Sequence, residues 1–428
     1  MSEDYRTLHL AIIAARWPTL ARVLEQAEPV LDAQVQVKEG LDSTLMVNNI
    51  QLTSRHDRGA EARQQADSLP ACTQLHLYGP GLGDLQRVLM QRANLERLTI
   101  HIMNRSLFML SLSLLDQQDW LTDPRVCLVL AADEAEIQLP FFALPAELQL
   151  AEEEAGGIRD RLFREITLPY VNRRYEQHLP LLRQRLDHNL PLLRQDGDVA
   201  ALFGTEPGRT AWVIGAGPSL MQHLSKLQAL KDSPDRPLLI AVDTACRALF
   251  THGIKPDWVV SIDHLIDEEK LPAADCGLVY FPLVPTRTLQ AWRGRRLAAY
   301  SSSPLYQTLR KRLPKALLNS GGSVIHPATD LAVRMGCREI ILLGVDLAFP
   351  GGETHAGWQV GDLGITLNQA QHRVLDGRGQ VVMTTTSFAG YRVQLERYIA
   401  AHPKIQFWNS SRDGAAIAGC PYHPEFTA

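Results

Sequence analysis

Three aspartates stand at the ends of apolar runs that read as strands. Asp243 closes Leu239-Ile240-Ala241-Val242, Asp263 closes Val259-Val260-Ser261-Ile262, and Asp346 follows Ile340-Ile341-Leu342-Leu343-Gly344. Residues beyond the carboxyl ends of strands in an open parallel sheet face the ligand crevice, so this spacing predicts one acidic site. Taken singly, each would serve equally well as a helix cap or a solvated loop residue. Upstream, Gly215-Ala216-Gly217-Pro218-Ser219 separates a strand-like run ending at Ile214 from a helix-like run starting at Leu220. Such a turn brings backbone N–H groups close to phosphate oxygens at the positive helix end. Pro218 suits a first helical turn, Ser219 can donate its hydroxyl to a phosphate, and free amides are expected around Gly217. Leu220 sits where a nicotinamide fingerprint wants a third glycine, so a nucleotide monophosphate fits better than a dinucleotide. Asn319, Ser320 and Ser323, beside Gly321 and Gly322, add donors at another crevice edge. The loop Gly351-Gly352-Glu353-Thr354-His355 supplies an imidazole, which makes His355 the candidate general base or phosphate partner. Asp243 and Asp263 could hold Mg²⁺, as phosphoanhydride chemistry would require.

An earlier glycine run, Gly79-Pro80-Gly81-Leu82-Gly83, follows the strand-like Gln74 to Tyr78. About twenty residues on, where a dinucleotide binder places its ribose-holding acid, stands Asn104, so this loop reads as a scaffold turn. No Walker loop, nucleophile elbow or zinc signature occurs.

The elements that must position these residues are legible as a pattern. Short antiparallel strands are predicted at Val35–Val37, Leu45–Val47 and Asn49–Leu52, with turns at Gly40 and Asn48. Strands at 74–78, 98–102 and 125–130 then alternate with helices. Residues 156–196 have helical spacing and no strand signal. Strands at 211–214, 238–242, 258–262, 278–281 and 339–343, with helices between, predict a mostly parallel, doubly wound α/β sheet. The domains expected are 1–175, a helical connector at 176–205, and 206–428. The 428 residues carry 43 Lys+Arg against 47 Asp+Glu, a net charge of −4, which gives no bulk attraction to nucleic acid or an anionic membrane. Six cysteines form no CxxC, no signal peptide is evident, and no apolar run reaches the roughly 18 residues of a membrane span, so a cytoplasmic protein is expected.

Several motifs in fixed order resemble one family. The run Val213 to Leu220, the phrase Gly253 to Asp263, the segment Gly321 to Val324, Gly344 to Ala348 with Thr354-His355, and Trp408 to Gly419 are similar to the motility accessory factors. These are bacterial flagellin glycosyltransferases whose central domain also resembles the archaeal 6-hydroxymethylpterin pyrophosphokinases. The stretch from Leu75 to Leu130 resembles the family's N-terminal domain, and Arg412-Asp413 stands where an acidic residue and a glycine are common. The resemblance implies a Rossmann-like central domain similar to bacterial sialyltransferases, with a second Rossmann-like N-terminal domain. It implies transfer of a nonulosonic acid, pseudaminic or legionaminic, from its CMP-activated form to Ser or Thr of flagellin, with flagellin and the CMP-sugar as partners. In that chemistry residues 215–219 would cradle the phosphate and Asp243 would read ribose or cytosine. Asp263 and Asp346 would orient donor or acceptor, and His355 would act on the acceptor hydroxyl or the leaving phosphate. The rivals are an ATP-dependent pterin pyrophosphokinase and a non-catalytic flagellin-binding protein.

Overall fold

The computed structural model describes residues 2–28, 33–36, 42–132, 136–230, 233, 236–359, 362–363 and 372–427. The chain divides into two compact units, Met1–Ile166 and Thr167–Ala428.

The first unit begins with helices α1 (Ser2–Arg16) and α2 (Pro18–Glu25), then a three-stranded antiparallel sheet of β1 (Ala33–Gln36), β2 (Thr44–Val47) and β3 (Ile50–Gln51). Asn48 and Asn49 make the β2–β3 turn at φ of 50° and 62°, a left-handed conformation that asparagine tolerates better than most side chains. Val37 and the expected turn at Gly40 lie outside the described residues. Next come α3 (Arg58–Asp67), β4 (Gln74–Tyr78), α4 (Asp84–Met90), β5 (Arg97–Ile102), α5 (Arg105–Leu114), α6 (Gln118–Leu121), β6 (Val126–Leu130), β7 (Phe141–Ala143) and α7 (Pro145–Gln149). The last four strands form a parallel sheet in the order β6-β5-β4-β7. Helix α8 (Gly156–Gln195) contains the boundary between the units.

The second unit is built on eight parallel strands. These are β8 (Gly197–Asp198), β9 (Thr210–Ile214), β10 (Leu238–Val242), β11 (Trp258–Ser261), β12 (Gly277–Tyr280), β13 (Arg296–Ala298), β14 (Glu339–Leu343) and, near the end of the chain, β17 (Gln406–Asn409). Between and around them run α9 (Leu220–Ala229), α10 (Cys246–Thr251), α11 (Thr286–Ala291), α12 (Gln307–Arg312), α13 (Ile325–Met335), α14 (Thr386–Ala400) and α15 (Pro424–Thr427). A separate antiparallel pair, β15 (His372–Leu375) and β16 (Val381–Thr384), follows β14 in sequence. The sheet order is β17-β14-β9-β10-β11-β12-β13-β8. Every residue of β10 is buried, which is what a strand covered on both faces requires and why it reads as an unbroken apolar run. The order reverses between β9 and β14, and in such sheets the crevice beyond that switch point is the ligand position. The molecule thus has the expected α/β, doubly wound parallel architecture with a second Rossmann-like unit ahead of it. Asn104, placed where an acid would hold a ribose, caps α5 by accepting from Leu107 N at 2.8 Å.

Candidate active site

The loops leaving β9 and β14 run side by side at the switch point. Gly215 N donates to Leu343 O and Gly217 N to Gly344 O, both at 2.7 Å. A Cβ on Gly215 would lie 2.5 Å from Gly344 O, and one on Gly217 would lie 2.5 Å from Oδ2 of Asp346, so only glycine permits this approach. Asp346 is 3% exposed and accepts from both the amide (2.8 Å) and the hydroxyl (2.5 Å) of Ser219. Burial pushes its carboxyl up to about 6, against the opposing pull of those two hydrogen bonds. The late motif packs on the backbone of the same residue, since Ala415 N donates to the carbonyl O of Asp346 and a Cβ on Gly414 would meet Asp346 Cα at 2.4 Å.

This geometry corrects the expectation of free amides around Gly217. The donors of Gly215, Gly217 and Ser219 are taken by protein acceptors, and Pro218 has none. Among the described residues, the crevice-lining amides that donate to no protein acceptor include those of Ala216, Val324 and Ile325, besides others on the loop after β14 and at Thr354 and His355. Val324 and Ile325 begin α13, which has no side-chain cap. An anion in the crevice would therefore meet loop amides, that of Ala216 among them, and the start of a helix.

Gly215, Ala216, Gly217, Ser323, Asp346 and His355 line a crevice of about 80 Å³, together with Thr244, Thr354 and Phe388. Thr354 and His355 are fastened to the glycine loop by Ala356 N donating to Ala216 O at 2.8 Å. The imidazole of His355 stands edge-on to Phe388 at 6.2 Å, and its Nδ1 is buried without a partner among the described residues. Burial lowers its pKa to about 4, so the ring is neutral at pH 7. His355 also lines a neighbouring cavity of about 820 Å³.

The other expected residues lie elsewhere. Asp243 is 1% exposed and accepts from Ser261 Oγ and Thr244 N, each at 2.8 Å, and from the backbone of Ile262. It ties the ends of β10 and β11, and burial pushes it up to about 7. Asp263 is exposed, accepts from Leu265 N at 2.8 Å and is close enough to Tyr391 to raise the phenol's pKa. The three aspartates therefore do not share one crevice. For Mg²⁺, Asp243 offers oxygens already engaged, and no three His, Cys, Asp or Glu side chains converge as ligands among the described residues. Pro218 and Ser219 line a second cleft on the side of Gln222 and Arg378. Asn319 gives its amide to Asp330 of α13 at 2.8 Å, Ser320 is exposed, and Gly322, at φ of 99°, lies against the Tyr391 ring.

In the first unit a carboxylate fills the glycine loop. Glu147 is 1% exposed, its Oε1 accepts from Gly81 N, and a Cβ on Gly79 would lie 2.7 Å from its own Cβ. Its Oε2 has no partner among the described residues, and burial pushes the carboxyl up to about 8. The position a phosphate would take is occupied from within, consistent with reading this loop as scaffold.

Sequence reasoning missed Thr244, Phe388 and the start of α13. Phe388 belongs to α14, far along the chain, and nothing local marks it. The pair Gly357-Trp358, two and three residues beyond His355, was a readable signal.

Residues 184–352 match the family model described as 6-hydroxymethylpterin diphosphokinase MptE-like, so an MptE-like domain lies in the second unit. A 6-hydroxymethyl-7,8-dihydropterin pyrophosphokinase of Methanocaldococcus jannaschii is 37% identical over 54 residues, which are 13% of this chain and 22% of that relative's length. The solved structure of a MAf glycosyltransferase from Magnetospirillum magneticum AMB-1 aligns over 99% of this chain and 75% of that one, at 17% identity and a TM-score of 0.42. Among the described residues, no helix is long and apolar enough to cross a membrane.

Proposed function

We propose that the protein is a glycosyltransferase that moves a nonulosonic acid, of the pseudaminic or legionaminic type, from its CMP-activated form to Ser or Thr hydroxyls of flagellin. One observation carries the reading: a neutral, unpartnered imidazole, His355, faces the same small crevice as the open amides of Ala216, Val324 and Ile325. That pairs a proton acceptor with a cradle sized for one phosphate. In the reaction the acceptor oxygen forms a bond to the anomeric carbon as the carbon–phosphate oxygen bond breaks. The hydroxyl proton passes to His355, and the electron pair leaves with CMP, whose phosphate the amides stabilise. Asp346 and Ser219 hold the loop in place, and Asp263 orients donor or acceptor from the exposed end of β11. Asp243 acts through Thr244, which lines the crevice. A single-phosphate leaving group makes no metal obligatory. Flagellin binding and a cytoplasmic location belong to the same reading.

The family match over 184–352 favours a second reading, ATP-dependent diphosphate transfer to a pterin alcohol. That chemistry relies on Mg²⁺ held by carboxylates, and the engaged Asp243 suits it poorly. A non-catalytic flagellin-binding role leaves the unpartnered His355 without a purpose. Calorimetric titration separates the two enzymes: CMP is expected to bind and to raise the melting temperature. Strong binding of ATP with Mg²⁺ and none of CMP would reverse the order.

A further inference from the structure

The cavity beside the crevice contains an arginine with no counter-ion among the described residues. Arg247, on α10, lies with its Cζ 4.3 Å from the ring centroid of Trp358 and makes no ion pair or side-chain hydrogen bond among the described residues. The indole beneath it is fixed, because its Nε1–H donates to Thr244 O at 3.1 Å. On the same strap Gly357 stands at φ of 74°, and a Cβ there would lie 3.4 Å from Cβ of Ala248. A guanidinium stacked on an aromatic face keeps its N–H edges free and in one plane, the arrangement that meets a carboxylate with two parallel hydrogen bonds. The nearby Lys270 already has Asp267 at 3.4 Å. Three carboxylates also line the cavity: Asp362, which accepts from Gln359 N at 3.0 Å, and Glu269 and Glu353, which suit hydroxyl donors rather than a second anion. His355 lines this cavity and the phosphate crevice alike, so one molecule can reach both.

Building on the transferase reading above, we propose that Arg247, held flat by Trp358, is the fork that takes the carboxylate of the donor sugar and so selects acidic sugars over neutral ones. The polar cavity fits a hydroxylated anion. It fits a flat pterin poorly, because the guanidinium covers one face of the indole.

The test compares three probes on the full-length protein by calorimetry: CMP, CMP-N-acetylneuraminate, and the methyl ester of that CMP-sugar. The wild type is expected to bind the acid about 10- to 100-fold more tightly than the ester, the span of a charge-assisted pair. Arg247→Ala should bind acid and ester alike while keeping its affinity for CMP, and Arg247→Lys should fall between, as a point charge without a fork. A melting temperature unchanged in Arg247→Lys guards against a folding artefact in Arg247→Ala. Retention of the full acid-over-ester preference by both variants overturns the assignment. Failure of the wild type to bind CMP or either sugar overturns the transferase reading, and this proposal with it.

Discussion

At the scale of single residues, burial separates side chains that look equivalent in sequence. Asp243 and Asp263 both close apolar runs, yet one is sealed between β10 and β11 and the other stands in solvent. Replacing Asp243 by alanine leaves Ser261 Oγ and Thr244 N without their acceptor, at a cost of about 1–3 kcal/mol. Asp263→Ala removes an exposed group that accepts from Leu265 N and lies 3.6 Å from Nδ1 of the neighbouring His264. The expected outcome is therefore a lowered melting temperature for Asp243→Ala, and an unchanged one with lost transfer for Asp263→Ala. Equal melting temperatures would mean that Asp243 does not tie the two strands. Conversely, burial alone lowers the pKa of His355, which is why sequence could nominate the residue but not the shift.

At the scale of elements, the two units solve the glycine-loop problem in the same way. In each, the strand carrying the loop (β4 or β9) lies between the strand that follows it and one that returns from further along (β7 or β14). The chain just past the returning strand supplies a buried carboxylate, Glu147 or Asp346, that accepts from a loop amide. Both carboxyls are pushed up, to about 8 and about 6. A group whose folded pKa is raised contributes stability that is fully present below its unfolded pKa and is lost as pH rises through the folded value. Between about pH 4.5 and 8 the wild type should therefore lose melting temperature more steeply than Glu147→Gln, which keeps an oxygen for Gly81 N and cannot ionise. Parallel pH profiles for the two proteins would contradict a buried carboxyl latch that burial holds neutral. The glycines and the strands around them were legible because a buried parallel strand leaves a continuous apolar run. The latches were not, because Glu147 and Asp346 lie 66 and 127 residues from their partners and no local pattern encodes a contact across a sheet. The same distance hid the role of α13, whose first amides replace those expected around Gly217.

At the scale of the whole molecule, the first unit keeps a Rossmann-like sheet with its phosphate position filled by Glu147, and the second keeps a crevice with an open base and open amides. In the proposed transfer, donor chemistry falls to the second unit, and the first, with Asn104 in place of a ribose-holding acid and Glu147 closing its loop, is expected to meet the protein acceptor. The central claim is transfer to flagellin, with His355 as the base. Its most direct test is the intact mass of flagellin co-expressed with the enzymes that make the CMP-nonulosonate and with either the wild-type protein or His355→Ala. Flagellin should gain whole nonulosonate units with the wild type. With the variant it should lose most of them, since a general base contributes about 10²- to 10⁴-fold. Unmodified flagellin with the wild type, or equal modification with both proteins, would contradict the account.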